Sequence, residues 1–415
     1  MNFEDEREEL KKPKLLAPAG DWTMLVTAIK NGADEVYFGT ENLNMRSKAE
    51  NFQLADLEKI ASYCREHNVK TNLTLNSIVY EDEIDLLDTI LIKAKEAGID
   101  MVICWDFAVI QKCRELNIPF CISTQASISN SQSAKFFKEM GASRIVLARE
   151  CTLDKIEEIK KEVDIEIETF IHGAMCVAIS GRCFMSHDVF NKSANRGECI
   201  QPCRREYEII DKEEGHSFIL GEDYVMSPKD LCTIEFIDKL IEAKIDIFKI
   251  EGRKRSPEYI AKVVSSYRKA IDQYFDGVLT EEKKAEHLKE LEKVYNRGFS
   301  SGFYFGTPGK EEFSDTYGSH ASTRKVYLGK VLNYFKKESV GHARIMSGEV
   351  KKGDQLYIIG DTTGVVELEL NDFYSNDKPA ESAAKGEEIT FKCPEVIRTN
   401  DKVYKVVEVE KNNPS

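Results

Sequence analysis

Four cysteines fall within 28 residues as Cys176-x6-Cys183-x15-Cys199-x3-Cys203, in a segment otherwise rich in Gly, Ser, Asn and Arg. So polar a segment has little to bury, and thiols there suit ligation better than packing. Four thiolates are the usual ligand set of structural zinc and of [4Fe–4S] clusters. Zinc sites commonly pair their cysteines in close knuckles. Only Cys199 and Cys203 are close here, which leans toward a cluster while leaving zinc open. A catalytic thiol and simple packing are the remaining readings. His172 stands four residues before Cys176, with Ser180 and Ser186 nearby. A Cys–His or serine nucleophile would need such groups to meet in space. No G-x-S-x-G elbow or H-E-x-x-H helix accompanies them.

The other cysteines read differently. Cys64, Cys104, Cys113 and Cys121 lie inside helix or strand patterns, where a thiol packs as a small apolar group. Cys232 competes with Cys203 for the fourth ligand position. It lies in DLCTIEFIDKLIEAK, read as a helix whose stripe Leu231, Ile234, Ile237, Leu240 and Ile241 would bury it. Cys203 is therefore the expected ligand. The total of 11 cysteines is odd, and no apolar leader precedes the charged start MNFEDEREELKK. A disulfide framework is not expected, and the cytoplasm is the expected location.

The elements that must position these groups follow a βα rhythm from Lys14 onward. The strands read LLAP (15–18), EVYFG (35–39), TNLTLN (71–76), MVICW (101–105), FCIST (120–124), RIVLA (144–148), IEIETF (165–170) and DIFKIE (246–251). Amphipathic helices lie between them, for example 54–68, 83–98 and 131–141, with stops at Gly32, Asn68, Gly98, Asn117 and Gly141. Eight such units predict an α/β protein with a (β/α)8 TIM-like barrel. An open doubly wound sheet is the runner-up, weakened by the absence of a dinucleotide fingerprint. The expected domains are a polar tail at 1–13, the barrel at 14–310 with a cysteine insertion at 174–228, and a small all-β barrel at 320–410. A helical pair is expected at about 257–295, and NRGFSSGFYFGTPG (296–309) reads as a linker or surface loop.

In such a barrel the site lies at the carboxyl ends of the strands. The residues there include Arg46, Asn76, Gln125, Arg149, Glu150, Glu168, His172, Glu251 and Arg253. His172, Glu168 and Glu251 are the candidate catalytic residues. Arg46, Asn76, Gln125, Arg149, Glu150 and Arg253 are the candidate substrate-binding residues. Arg46, Arg149 and Arg253 follow the second, sixth and eighth strands, and are expected to converge on a dicarboxylate. The chain has 415 residues and a net charge of −14, which argues against polyanion binding over the whole surface. Two basic patches, KIEGRKRS (249–256) and CRRE (203–206), stand against that total. No run is long and apolar enough to span a membrane, and no membrane association is expected.

The segments ETFIHGAMCVAISGRCFMS (168–186), RGECIQPCRREY (196–207), SPKDLC (227–232), KIEGRKRSPEY (249–259) and NRGFSSGFYFG (296–306) carry a resemblance over essentially the whole chain. LLAPAG, GADEVYFG and NMR near the start share it. The sequence resembles a large bacterial family of collagenase-like peptidases of unassigned catalytic type. The resemblance implies an iron–sulfur protein, with Cys176, Cys183, Cys199 and Cys203 as ligands of a [4Fe–4S] cluster. It further implies the branch of the family that hydroxylates RNA. The expected reaction is prephenate-dependent 5-hydroxylation of the wobble uridine in tRNA, with tRNA and prephenate as partners. The alternative is a peptidase. Residues 320–415 resemble small barrels of translation factors.

Overall fold

A computed structural model describes residues 10–47, 50–176, 178, 183–205, 207–210, 212–213, 215, 217–220, 227–309, 312–314 and 318–409. Most of the expected polar tail, residues 1–9, lies outside the described residues, as do Ser180 and Glu206.

The apolar runs become parallel strands because both of their faces are covered. They are β1 (Lys14–Pro18), β2 (Glu35–Phe38), β3 (Lys70–Leu75), β4 (Met101–Cys104), β5 (Phe120–Ile122), β6 (Arg144–Val146) and β7 (Glu166–Gly173). The helices between them are α1 (Trp22–Lys30), α2 (Leu57–Glu66), α3 (Ile84–Ala97), α4 (Phe107–Leu116), α5 (Ser131–Glu139) and α6 (Leu153–Glu162). All five expected helix stops take the left-handed backbone that ends a helix. After β7 come α7 (Met185–Phe190), the hairpin β8 (Tyr207–Ile210) and β9 (Ser217–Leu220), β10 (Asp230–Cys232) and α8 (Ile237–Glu242). The chain then completes the barrel with β11 (Ile247–Ile250), followed by α9 (Pro257–Phe275), α10 (Glu281–Glu292) and β12 (Phe299–Ser300). Strand β11 pairs in parallel with both β1 and β7, which closes an eight-stranded (β/α)8 barrel.

The barrel interior is charged rather than aliphatic. Arg144 sends two nitrogens to Glu35, at 2.9 and 3.0 Å, and reaches Glu168 at 3.3 Å and Glu166 at 3.0 Å. Lys249 grips the other oxygen of Glu168 at 2.6 Å and lies over the ring of Tyr37. Glu168 is completely buried, so it belongs to this internal lattice and not to the rim where the sequence put it. The cause is its place on β7, with two full turns of pleat still above it before Gly173.

Two further expectations change. Cys232 lies on a strand, not a helix: β10 pairs antiparallel with the end of β7, setting Cys232 opposite His172, and the helix starts only at Ile237. Residues 296–309 are not a surface linker. Strand β12 pairs with β10, Asn296, Arg297 and Tyr304 are buried, and the Tyr304 hydroxyl donates to the Phe170 carbonyl at 2.7 Å. From Thr323 an eight-stranded antiparallel sheet follows, running from the strand Thr323–Phe335 to the strand Lys402–Glu408. It docks outside the barrel through Thr23–Asp361 (2.9 Å), Lys262–Glu367 (2.7 Å) and Lys325–Glu258 (2.8 Å).

Removing Arg144 takes both short contacts from the buried Glu35 and leaves Glu168 to Lys249 alone, so Arg144→Met is expected to cost about 3–5 kcal/mol of stability. Burial pushes the Glu35 carboxyl up, but Arg144 outweighs this and holds it below the ordinary range. The stability this provides is present above the unfolded pKa of about 4.3 and is lost as pH falls through the lower folded value. Denaturant midpoints measured against pH check both points. Glu35→Gln is expected to flatten the acid limb of the curve.

Candidate functional site

At the carboxyl ends of the strands lies a cavity of about 590 Å³, roofed by the insertion. Cys176, Cys183, Cys199 and Cys203 all line it. Cys176 follows directly on β7. Cys183 stands just ahead of α7, and Cys199 and Cys203 sit in the stretch after Arg196, which ties it to the barrel. Gln201 takes a left-handed backbone before Pro202, which turns its N–H toward the Cys199 sulfur at 3.4 Å. The Tyr207 hydroxyl holds the Pro202 carbonyl at 2.8 Å. Arg196 donates to the Ile78 carbonyl and the Glu83 carboxylate, and Ser47 donates to the Arg196 carbonyl at 3.1 Å. These four thiols are wholly or partly accessible, whereas the other seven are buried. Burial pushes the Cys203 thiol up to about 11, with Arg204 opposing and the other three thiols reinforcing. Cys176, Cys183 and Cys199 thus each lie near Cys203.

Below them, Arg46 and Glu251 form an ion pair at 3.1 Å. Burial pushes the Glu251 carboxyl up, but Arg46 and Arg149 outweigh it and hold the group ionised. Arg46, Arg149 and Glu251 also line a smaller chamber of about 70 Å³ that reaches down to Asn76, Gln125, Lys249 and Arg253. Arg149 donates to the Ala174 carbonyl at 2.8 Å and keeps one buried N–H, at Nε, without a partner among the described residues. Asn76 accepts from the Met45 N–H at 3.2 Å, and Gln125 is bonded to Ser123.

Arg253 reaches the chamber but not the upper cavity. Its terminal nitrogens are committed to Asn44 (3.2 Å), Thr74 (3.0 Å) and Asn51. The approach depends on Gly39, where a Cβ would stand 2.6 Å from the guanidinium. Burial pulls the Arg253 pKa down to about 10. All three arginines expected to converge line the lower chamber; Arg46 and Arg149 also reach the upper cavity, while Arg253 braces the loop that carries Arg46. Glu150 is exposed and lines neither space.

His172 is not at the site. It is buried toward α9, among Tyr259, Tyr267 and Phe299, with Nδ1 3.3 Å from the Tyr267 hydroxyl. The same hydroxyl lies 3.7 Å from the Cys232 sulfur. Burial pulls His172 down to about 3 and pushes Cys232 up to about 12. Both are neutral, the reverse of a thiolate–imidazolium pair. Cys203, and not Cys232, joins the other three thiols at the cavity. Sequence reasoning missed Asn44, Asn51 and Thr74, which hold Arg253, and the buried Asp230 behind the cavity wall. Only the adjacency of Asn44 to Arg46 could have signalled any of them.

This geometry defines a (β/α)8-barrel protein with a cation-walled, four-thiol site at its strand ends. The model of peptidase family U32 matches residues 20–314, and the chain belongs to that family. It is 40% identical over 404 residues to a protein named collagenase from Porphyromonas gingivalis, covering 94% of this chain and 97% of the other. It is 40% identical over 357 residues to tRNA hydroxylation protein P1 of Bacillus subtilis, covering 84% of each. It is 33% identical over 311 residues to tRNA hydroxylation protein P of Helicobacter pylori strain J99, covering 72% and 73%.

In metal-free, reduced protein a thiol reagent is expected to modify the four cavity cysteines fast and the seven buried ones only on unfolding. Stoichiometric titration with and without denaturant checks this, and a variant with all four changed to Ser is expected to lose only the fast phase.

Proposed function

We propose that the protein is a cytoplasmic iron–sulfur enzyme that hydroxylates tRNA, using prephenate to place oxygen on carbon 5 of the wobble uridine. One observation carries this reading: Cys176, Cys183, Cys199 and Cys203 share one cavity at the end of the barrel where such folds do chemistry. Among the described residues no three His, Cys, Asp or Glu side chains are arranged to hold a single metal ion. Their spacing along the chain, with only Cys199 and Cys203 close together, leans toward a [4Fe–4S] cluster over a zinc knuckle. The Gln201 N–H and the Ser186 hydroxyl, both beside the Cys199 sulfur, suit a charged thiolate there. When bound, such a cluster supplies electron transfer to and from a substrate. The two relatives named for tRNA hydroxylation support RNA as the substrate.

The chain's own residues then divide the work. Arg46 and Arg149 present guanidiniums to both spaces, as a carboxylate ligand requires. Glu251 starts ionised against Arg46. A ligand carboxylate that takes over Arg46 would free Glu251 to accept a proton. Asn76 and Gln125 offer uncharged hydrogen bonds deeper in the chamber.

The relative named collagenase favours a second reading, peptide hydrolysis. A Cys–His mechanism is poorly served, because His172 faces Tyr267 and both it and Cys232 are sealed from solvent.

Mass spectrometry of tRNA nucleosides from a deletion strain is expected to show loss of 5-hydroxyuridine-type wobble modifications; an unchanged profile in a strain without a paralogue overturns the reading. In anaerobically reconstituted protein, Cys203→Ser is expected to lose most iron and sulfide while Cys232→Ser keeps both. Arg149→Ala, which removes a charge-assisted contact of about 1.5–3 kcal/mol, is expected to lower kcat/KM for prephenate by roughly 10- to 100-fold with the iron content unchanged.

A further inference from the structure

Behind the cysteine cavity one carboxylate serves two guanidiniums. Arg297 grips Asp230 with two nitrogens, at 3.0 and 2.6 Å, and all three groups involved are buried or nearly so. Arg255 reaches the other oxygen of Asp230 at 3.4 Å from the cavity side. Arg255 is held in plane by Tyr295, whose ring centroid is 3.9 Å away. Beside it, Arg204 bonds Gln201 at 2.7 Å and Lys254 reaches the Cys199 carbonyl at 3.4 Å. Neither forms an ion pair among the described residues. The cavity thus carries Arg46, Arg149, Lys192, Arg204, Lys254 and Arg255 against Glu198 and Glu251, while Asp230 behind the wall is already held by Arg297. In a chain of net charge −14, such an excess is local and built.

The wall does not stop at the cavity. Tyr295, on which Arg255 stacks, also lines a groove of about 400 Å³ between the barrel rim and the carboxyl-terminal sheet. Across that groove the sheet offers Tyr357 and Arg324. Arg324 is exposed and forms no ion pair among the described residues. A line of cations interrupted by aromatic rings, and spanning two cavities, is too long for a small anion. It matches a phosphodiester chain, whose phosphates meet the cations and whose bases stack on the rings.

We infer that Arg204, Lys254 and Arg255, continued past Tyr295 by Arg324, form a track for single-stranded RNA that leads one nucleotide into the cysteine cavity. The track rests on the RNA reading proposed above and adds the route and the polarity of the contact: backbone along the Arg255 wall, base toward the thiols.

The test is fluorescence anisotropy of the full chain with a labelled anticodon stem-loop RNA carrying uridine at the wobble position, across a salt series. Lys254→Gln and Arg324→Gln touch no buried partner, and Arg255→Gln tests the wall itself. Each variant is expected to weaken binding about 5- to 10-fold. Each is also expected to reduce the slope of log K against log salt by about 0.7, the signature of one lost phosphate contact to a single strand. Lys254→Gln and Arg324→Gln that bind with wild-type affinity and slope overturn the track and leave the RNA reading standing. Wild-type protein that binds no RNA at low salt overturns both.

Discussion

Everything at the mouth of this barrel stands on the bidentate clamp of Arg144 on Glu35. In most barrels of this type, layers of branched aliphatic side chains fill the interior. Here a guanidinium at the bottom holds three carboxylates, and one of them, Glu168, passes charge upward to Lys249. Buried charges tolerate one another only in register, so the lattice fixes the strands against sliding more firmly than apolar contacts would. The next charged pair above Lys249 is Glu251 with Arg46. The site is thus the top storey of a polar column that begins at the barrel floor.

The insertion adds thiols to that column without disturbing it. Strand β7 runs eight residues, longer than its barrel neighbours, and its free end gives β10 an edge on which to pair. That pairing seals His172 and Cys232 behind the wall and leaves the cavity to the other four cysteines. Arg297, from the glycine-rich segment, closes the back of the wall through Asp230. The same structural economy explains why the cavity is cationic in an acidic protein. The acidic residues are spent inside the barrel and on the outer helices, while the rim arginines face inward with few carboxylates to meet them.

All eight barrel strands were legible in the sequence, because each is a short apolar run bounded by glycine or a polar turn, repeated at a regular spacing. The four-thiol cavity was legible because the cysteines sit in a segment with nothing else to bury. The failures share one cause: pairing partners and pleat parity are not written locally. Cys232 lies in an apolar pattern that suits a helix equally well until β7 offers it an edge. His172 and Glu168 are both near the end of β7, yet one turns outward to the tyrosines of α9 and the other inward to Arg144. Residues 296–309 have a loop's composition, but Arg297 has a buried carboxylate to reach. Arg253 stands at the rim as expected, with its terminal nitrogens already occupied by Asn44, Thr74 and Asn51.

The ties between the roof and the barrel have a consequence for the order in which the protein assembles. Arg196 and Ser47 are 149 positions apart, and Arg196 meets Ile78 and Glu83 across 118 and 113. Helices and neighbouring βα units form from local contacts, while contacts this distant must wait for the closure of much longer loops. Cys176 follows β7, but Cys199 and Cys203, just past Arg196, take their positions only after the first and second thirds of the chain have met. The roof therefore forms later than any single βα unit, although the closure of the barrel through β1 and β11 joins residues farther apart still.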